Sequence, residues 1–266
     1  MEQHFICTTC GVQYEASTDV PASCLICNDD RQYINAGGQS WTTLPAVNRQ
    51  HRNVFELVAQ GVYAIYSTPA FAIGQRAHLL LSPGGNILWD CVTNLDTTTV
   101  SLIKTLGSLR AIAISHPHYY STIVEWSKAF GGVPVYISKA DEQWLTRRHA
   151  SIHLWEGDRL PLWDDLLLVR CGGHFPGAAV LHQPQGQGRL FVGDTIQVTP
   201  GNNLVSFMYS YPNMIPLPKK EIMAINASVS DLAYDAMFGA FGKYIYSGAK
   251  EAMRISVERY LQIYED

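Results

Sequence analysis

The sequence predicts an α/β (α+β) chain in which two sheets pack face to face with helices outside, preceded by a small metal-binding module. Three observations predict it. A β-rich stretch followed by alternating strand and helix patterns occurs twice along the chain. Two C-x-x-C pairs open the sequence. Three histidines and an aspartate, His116, His118, His174 and Asp194, fall at the ends of predicted strands, where a scaffold presents side chains to a shared cleft. The 266 residues suffice for one large domain and a small appendage. We expect a module over residues 1–35, a linker over 36–50 and the main domain over 51–266.

The module rests on Cys7 and Cys10, followed after thirteen residues by Cys24 and Cys27. Each pair forms a tight knuckle that aims two thiolates at one point, and two knuckles close a tetrahedron. The segment is too short and polar to bury a core of its own, so a metal must supply its folding free energy. FICTTCG and CLIC resemble a zinc ribbon and the rubredoxin-like module of rubrerythrins. The resemblance implies zinc, with iron as the alternative. Residues 28–45 are turn-rich and end in proline, as a linker does.

From Val54 the short runs rich in Val, Ile, Tyr and Leu, divided at Gly61, Pro69, Gly74 and Pro83, predict an antiparallel meander. Asp96 caps a helix over 96–109. AIAIS is a short buried strand that delivers His116. Helix (STIVEWSKAF), strand (VPVYIS) and helix (KADEQWLTRR) follow. In the second half LLLVRC runs into GGH, and AAVLHQ pairs with RLFVGD, which carries Asp194. Residues 219–240 read as a helix, KYIYSGA as a last strand and turn, and the segment from Lys250 to Asp266 as a closing helix.

Imidazoles and a carboxylate suit zinc or ferrous iron. On extended chain, residues two apart share a face, which would let His116 and His118 reach one ion. Here the main domain resembles the metallo-β-lactamase superfamily. VFELVAQGVYAIYST is similar to its opening strands, the His-x-His stretch to its first metal motif, GGHFPGAAVL to its second histidine motif and LFVGDT to its bridging aspartate motif. The resemblance spans roughly residues 50–265 and implies a four-layer αββα sandwich. It also implies that His116, His118 and His174 bind a first ion, with Asp194 as fourth ligand or holder of the water. The positions private to a second ion hold Tyr120 and Ser121, and by this reading Ser247-Gly248 stands where a last histidine would be. One ion is therefore expected in the cleft and one in the module, zinc at both, with iron the alternative at either. Asp194 and Tyr120 are the candidate catalytic groups, the phenol as a donor to developing negative charge.

Other groups read as structural. His149 and His153 look like surface residues, Cys91 and Cys171 like core, and His182 like a residue at the cleft edge. Residues 202–218, aromatic and proline-rich, are a substrate wall or an oligomer contact. Net charge of −4 supplies no field for nucleic acid or an anionic membrane. MEQHFICTTC has no secretory pattern and no apolar run reaches the ~20 residues of a membrane span, so a cytoplasmic protein is expected. Three functions compete. The first is a mononuclear hydrolase using metal-activated water on an ester, thioester, amide or phosphoester. The second is an iron oxygenase or redox enzyme, as in the superfamily's persulfide dioxygenases. The third is a non-catalytic, metal-containing protein that binds a ligand or partner through the cleft and the cysteine module.

Overall fold

A computed structural model describes residues 2–264. Met1, the start of the expected module, and residues 265–266, the end of the expected closing helix, lie outside them. β1 (Gln3–Cys7) and β2 (Gln13–Ser17) pair antiparallel, and β3 (Trp41–Thr42) adds to the free side of β1. The segment expected as a linker thus completes the module's sheet before continuing into α1 (Leu44–Gln50).

In the first half, β4 (Arg52–Ala59), β5 (Val62–Thr68), β6 (Ala77–Leu80) and β7 (Ile87–Trp89) form the expected meander. α2 (Thr97–Thr105) follows. The Asp96 carboxylate accepts the Thr99 N–H at 2.7 Å and caps it. β8 (Ala111–Ala113) then leads through α3 (Ile123–Ala129) to β9 (Val135–Ser138) and on to β10 (Ile152–Trp155), all added in parallel. The helix expected over residues 139–148 is only a 3-10 turn at Lys139–Trp144. Tertiary contacts win there: Asp141 accepts the Gly177 N–H, and Arg147 reaches Gln13 and Glu125.

The second half repeats the plan. β11 (Arg159–Pro161), β12 (Leu167–Arg170), β13 (Ala179–Gln183) and β14 (Arg189–Gly193) are antiparallel neighbours, with Leu181 opposite Phe191. Two small hairpins follow, β15 (Gln197–Val198) with β16 (Val205–Ser206) and β17 (Met208–Ser210) with β18 (Ile215–Pro216). α4 (Lys219–Val229) stops short of the expected Ala240. The apolar run Ala236–Gly239 is instead β19, a parallel partner of β14, because a short run of this kind fits a covered strand as well as a helix. β20 (Tyr244–Ile245) and α5 (Ala249–Ile263) close the chain.

Alternation sorts the side chains into layers. Ala64, Leu80 and Trp89 of the first sheet meet Leu168, Leu181, Phe191 and Phe238 of the second in the sandwich interior. Ile65, Leu79 and Leu88 on the first sheet's outer face are covered by α2, α3 and the module, through Ile103, Val124, Val12 and Ile26. Val169, Val180 and Leu190 on the other outer face are covered by α4 and α5. The result is αββα. The C-terminal ends of β8, β12 and β14 open on one edge, and each leads into a stretch carrying candidate ligands. Among the described residues, no helix is long and apolar enough to cross a membrane.

Candidate metal centres

The four cysteines converge from the two turns of the module. Cys7 Sγ lies 3.6 Å from Cys27 Sγ, and Cys10 Sγ lies 3.6 Å from Cys24 Sγ. All four sulfurs lie within 4.8 Å of one another. A disulfide would need about 2.05 Å. Thiolates held at about 2.3 Å from one ion stand about 3.8 Å apart in a tetrahedron, so the group fits a single ion. Gln39 Nε2 donates to Cys7 Sγ at 3.0 Å.

At the strand ends, His116, His118, His174 and Asp194 form the second group, each 3% exposed or less. Asp194 Oδ2 faces His116 Nε2 at 3.5 Å, His118 Nδ1 at 3.8 Å and His174 Nε2 at 3.9 Å. His118 Nδ1 and His174 Nε2 are 3.3 Å apart. Donors about 2.1 Å from one ion stand about 3.4 Å apart in a tetrahedron, so these residues also fit a single ion. Two glycines permit the approach. A Cβ on Gly173, beside His174, would lie 2.7 Å from Ile225 Cδ1. One on Gly193, beside Asp194, would lie 2.6 Å from Ser115 Oγ. Both have positive φ.

The alternation expected of His-x-His is absent. His116 is extended, but Pro117–Tyr119 is a 3-10 turn. The rings converge because they use different nitrogens, Nε2 of His116 and Nδ1 of His118. Outer hydrogen bonds fix which nitrogen carries the proton. Asp90 accepts the Ser115 N–H at 2.7 Å and its hydroxyl at 3.1 Å, and Ser115 Oγ lies 2.9 Å from His116 Nδ1. With its own proton given to Asp90, that hydroxyl accepts from His116 Nδ1–H and leaves the Nε2 lone pair inward. His174 Nδ1 donates to the Met208 carbonyl at 3.1 Å, with the same result. His116 Nε2 is buried without a protein partner. Burial lowers the His116 pKa to about 4 and that of His174 well below its ordinary value, so both rings are neutral. His116 Nε2, His118 Nδ1 and His174 Nε2, converging with the Asp194 carboxylate on one point, form a candidate cation site.

The phenol at this group is Tyr119. Its hydroxyl donates to Asp194 Oδ1 at 2.5 Å, leaving Oδ2 inward. Tyr120, the expected catalytic tyrosine, points away, and its hydroxyl donates to the Asp141 carbonyl at 3.1 Å. In the tight turn, residues three apart stack, and the Tyr119 ring lies 4.5 Å from that of His116. Tyr119→Phe is therefore expected to weaken cleft-ion affinity about 10- to 100-fold in chelator competition. Tyr120→Phe should leave that affinity unchanged and cost only about 1 kcal/mol of stability. Equal affinities for the two variants would remove Tyr119 from this role.

Ser121 does not line the cleft: its buried hydroxyl donates to the Cys91 carbonyl and accepts from Gln75 Nε2. Ser247-Gly248 is not at the cleft. Gly248 caps α5, and its N–H donates to Asp235 at the opposite end of β19. The segment that reaches the cleft from that edge is the β19–β20 turn, through Phe241. The shift arose because β19 was hidden inside an expected helix. His182 donates to the Ala233 carbonyl, away from the cleft. His153 is exposed on β10, His149 bonds Ser151, and Cys91 and Cys171 are buried.

A cavity of about 420 Å³ opens onto His118, His174 and Asp194. Tyr211 and Pro212 from the aromatic loop form one wall, and Arg31–Tyr33 of the module form another. Arg31 is the main tie. Its Nε donates to the His174 carbonyl at 2.6 Å, and its guanidinium lies 4.5 Å from the rings of Phe175 and Tyr209. Sequence reading passed over it because a lone arginine among turn residues carries no pattern.

No family model matches the chain. It is 47% identical over 264 residues to the uncharacterized protein YmaE of Bacillus subtilis (strain 168), covering 97% of this chain and 96% of that one. The chain belongs to the YmaE family. Its fold is that of the metallo-β-lactamases. The YmaE-family chain matches FIM-1 from Pseudomonas aeruginosa, a metallo-β-lactamase in a mono-zinc form, with a TM-score of 0.57 at 16% identity over 80% of this chain and 97% of that one. DIM-1 metallo-β-lactamase gives 0.59 at 14% identity over 80% and 98%. TTHA1623 in a di-iron-bound form gives 0.51 at 19% identity over 68% and 93%. The similarity to YmaE runs through both the cysteine module and the cleft-bearing domain.

Proposed function

We propose that this YmaE-family chain is a mononuclear metal-dependent hydrolase acting on a small acyl compound, with zinc in both groups. The observation that carries the reading is the convergence of three histidine nitrogens and one carboxylate oxygen at the floor of a cavity. An ion held there supplies Lewis acidity and acidifies water toward neutral pH.

The chain's own residues do the rest. Tyr119 keeps one oxygen of Asp194 occupied, so the other stays aimed inward. Ser115 and Asp90 hold the proton of His116 on Nδ1. His116 is sealed, whereas His118, His174 and Asp194 line the cavity, so a substrate approaches from their side. Phe241 lines the cleft on the β19–β20 side and is neither a carboxylate nor an imidazole, which supports one ion there rather than two. A cavity of this size suits a small molecule. The net charge of −4 argues against nucleic acid. Cys91 and Cys171, the two cysteines outside the four-thiol group, are unpaired, as suits a reducing compartment.

The test is a panel of activated carboxylic esters, thioesters and amides. Protein carrying two zinc ions per chain should turn over at least one of them, lose that activity on chelation and regain it with zinc. No turnover across the panel, or turnover that survives chelation, would overturn the reading. Red protein with one iron per chain at the cysteines would replace it with an iron-dependent redox enzyme.

A further inference from the structure

The loop that carries His174 is not held evenly along its length. Beyond the histidine, Asp141 accepts the Gly177 N–H at 2.7 Å. Before it stand Gly172 and Gly173, both at positive φ, residues whose backbone has the widest choice of conformations. His116, by contrast, follows closely on β8 and is braced by Ser115 and Asp90. The His174 ring is braced instead from the β17–β18 hairpin, whose Met208 carbonyl accepts its Nδ1 proton at 3.1 Å.

One side chain joins that loop to that hairpin. Arg31 Nε donates to the His174 carbonyl at 2.6 Å. Its guanidinium carbon lies 4.5 Å from the ring centres of Phe175, which follows His174, and Tyr209, which follows Met208. Ser210 Oγ donates to the Arg31 carbonyl at 3.3 Å. Arg31 thus grips both the loop that bears the ligand and the strand that fixes the ligand's proton. A guanidinium suits this task, because it donates in its plane while its faces pack on aromatic rings.

Arg31 is itself fixed from the cysteine side. Both oxygens of Asp29 hold its NH1, at 2.7 and 2.9 Å. The turn that carries Asp29 continues from the second knuckle. The Asn28 N–H donates to the Cys24 carbonyl at 3.0 Å, and the Asp29 N–H to the Ile26 carbonyl at 3.3 Å.

We infer that Arg31 is a positioning residue, and that the cysteine module serves the cleft through it. The knuckle of Cys24 and Cys27 anchors the guanidinium that holds His174 in the orientation and tautomer that bind an ion. The inference rests on the reading of one ion in each group and not on hydrolysis.

The test compares full-length variants without measuring turnover. Chelator competition on protein carrying two zinc ions should show Arg31→Met binding the cleft ion about 10- to 100-fold more weakly, with the cysteine ion retained. Arg31→Lys keeps the charge but cannot lie flat on both rings while donating in their plane, so it should still lose about tenfold. Arg147→Met, which releases Gln13 of the module and leaves the contacts at His174 in place, should stay within about twofold of wild type. NMR of protein labelled with 15N-histidine and carrying one zinc, at the cysteines, reads the ring before the cleft is filled. His174 should carry its proton on Nδ1 in wild type and in Arg147→Met, and should exchange between both tautomers in Arg31→Met.

Wild-type affinity in Arg31→Met or Arg31→Lys overturns the inference. An equal loss in Arg147→Met also overturns it, since any loosened docking would then weaken the cleft. A wild-type His174 protonated on Nε2, or exchanging, overturns it without any variant. Wild-type protein that takes no second zinc ion removes the metal reading instead. If the variants behave as expected and no ester, thioester or amide is turned over, the hydrolase reading fails and the inference stands.

Discussion

Cys10→Ser is expected to unfold the whole chain in one step, lowering its melting temperature by more than about 10 °C. A four-thiolate zinc site contributes about 10–16 kcal/mol of apparent binding free energy, comparable to the 5–15 kcal/mol stability of a domain. For a chain of this size each kcal/mol is worth roughly 2–4 °C. The loss would not stay local. Cys10 is fully buried in the same core as Ile65, Leu79 and Trp126. The module's backbone is tied into the main domain, with Gln13 N–H donating to the Ser121 carbonyl at 3.0 Å and Thr93 donating to the Gly11 carbonyl at 3.0 Å. Thermal denaturation followed by near- and far-UV circular dichroism checks this. Two separate transitions, or a melting point within a few degrees of wild type, would show the module to be an independent appendage.

His116→Ala should have the opposite pattern: one ion lost, the fold retained. Removing an outer partner of a metal-binding histidine costs about 10- to 100-fold in affinity, so removing the ring itself should cost more than about a hundredfold. The cysteine group is built from other residues, and its ion should remain. Elemental analysis should therefore fall from about two ions per chain to about one. The vacated volume costs stability, on the scale of about 2–4 kcal/mol for large-to-small changes in a packed site. The ring it removes packs on Tyr119 and Phe175. Two ions retained would mean that His116 is a core residue and that the cleft ion sits elsewhere. Loss of both ions would mean that the two groups are one cooperative unit.

Much of the fold was legible because its signals are local. Asp96 announces a helix start, and the glycine- and proline-divided runs after Val54 announce a meander. The cysteine spacing announces a tetrahedron. The ligand set was legible because imidazoles and a carboxylate at strand ends have few other uses in combination. What could not be read depended on which way a side chain turns. Tyr119 and Tyr120 are adjacent and chemically identical, and only the 3-10 geometry of Pro117–Tyr119 sends one to Asp194 and the other to Asp141. Asp90 and Ser115 lie far apart in sequence and become partners only when β7 and β8 pair. Phe241 was misplaced because Ala236–Gly239 fits a helix as well as a strand until β14 is beside it. Arg31 gave no signal, since its contact with His174 exists only after the module docks.

The docking contacts join distant parts of the chain. Arg31 meets His174 across 143 residues of sequence, and Asp30 meets Asn213 across 183. During synthesis at about 5–20 residues per second, the thiols leave the ribosome roughly ten to forty seconds before the last of these partners. For that interval the nascent module has its cysteines but not the surface that buries them. On the proposed zinc reading, capture of an ion needs only the two knuckles and would be a stabilising event already open to it. Such an ion would protect the four thiols in the growing chain before it held any wall of a cleft in place.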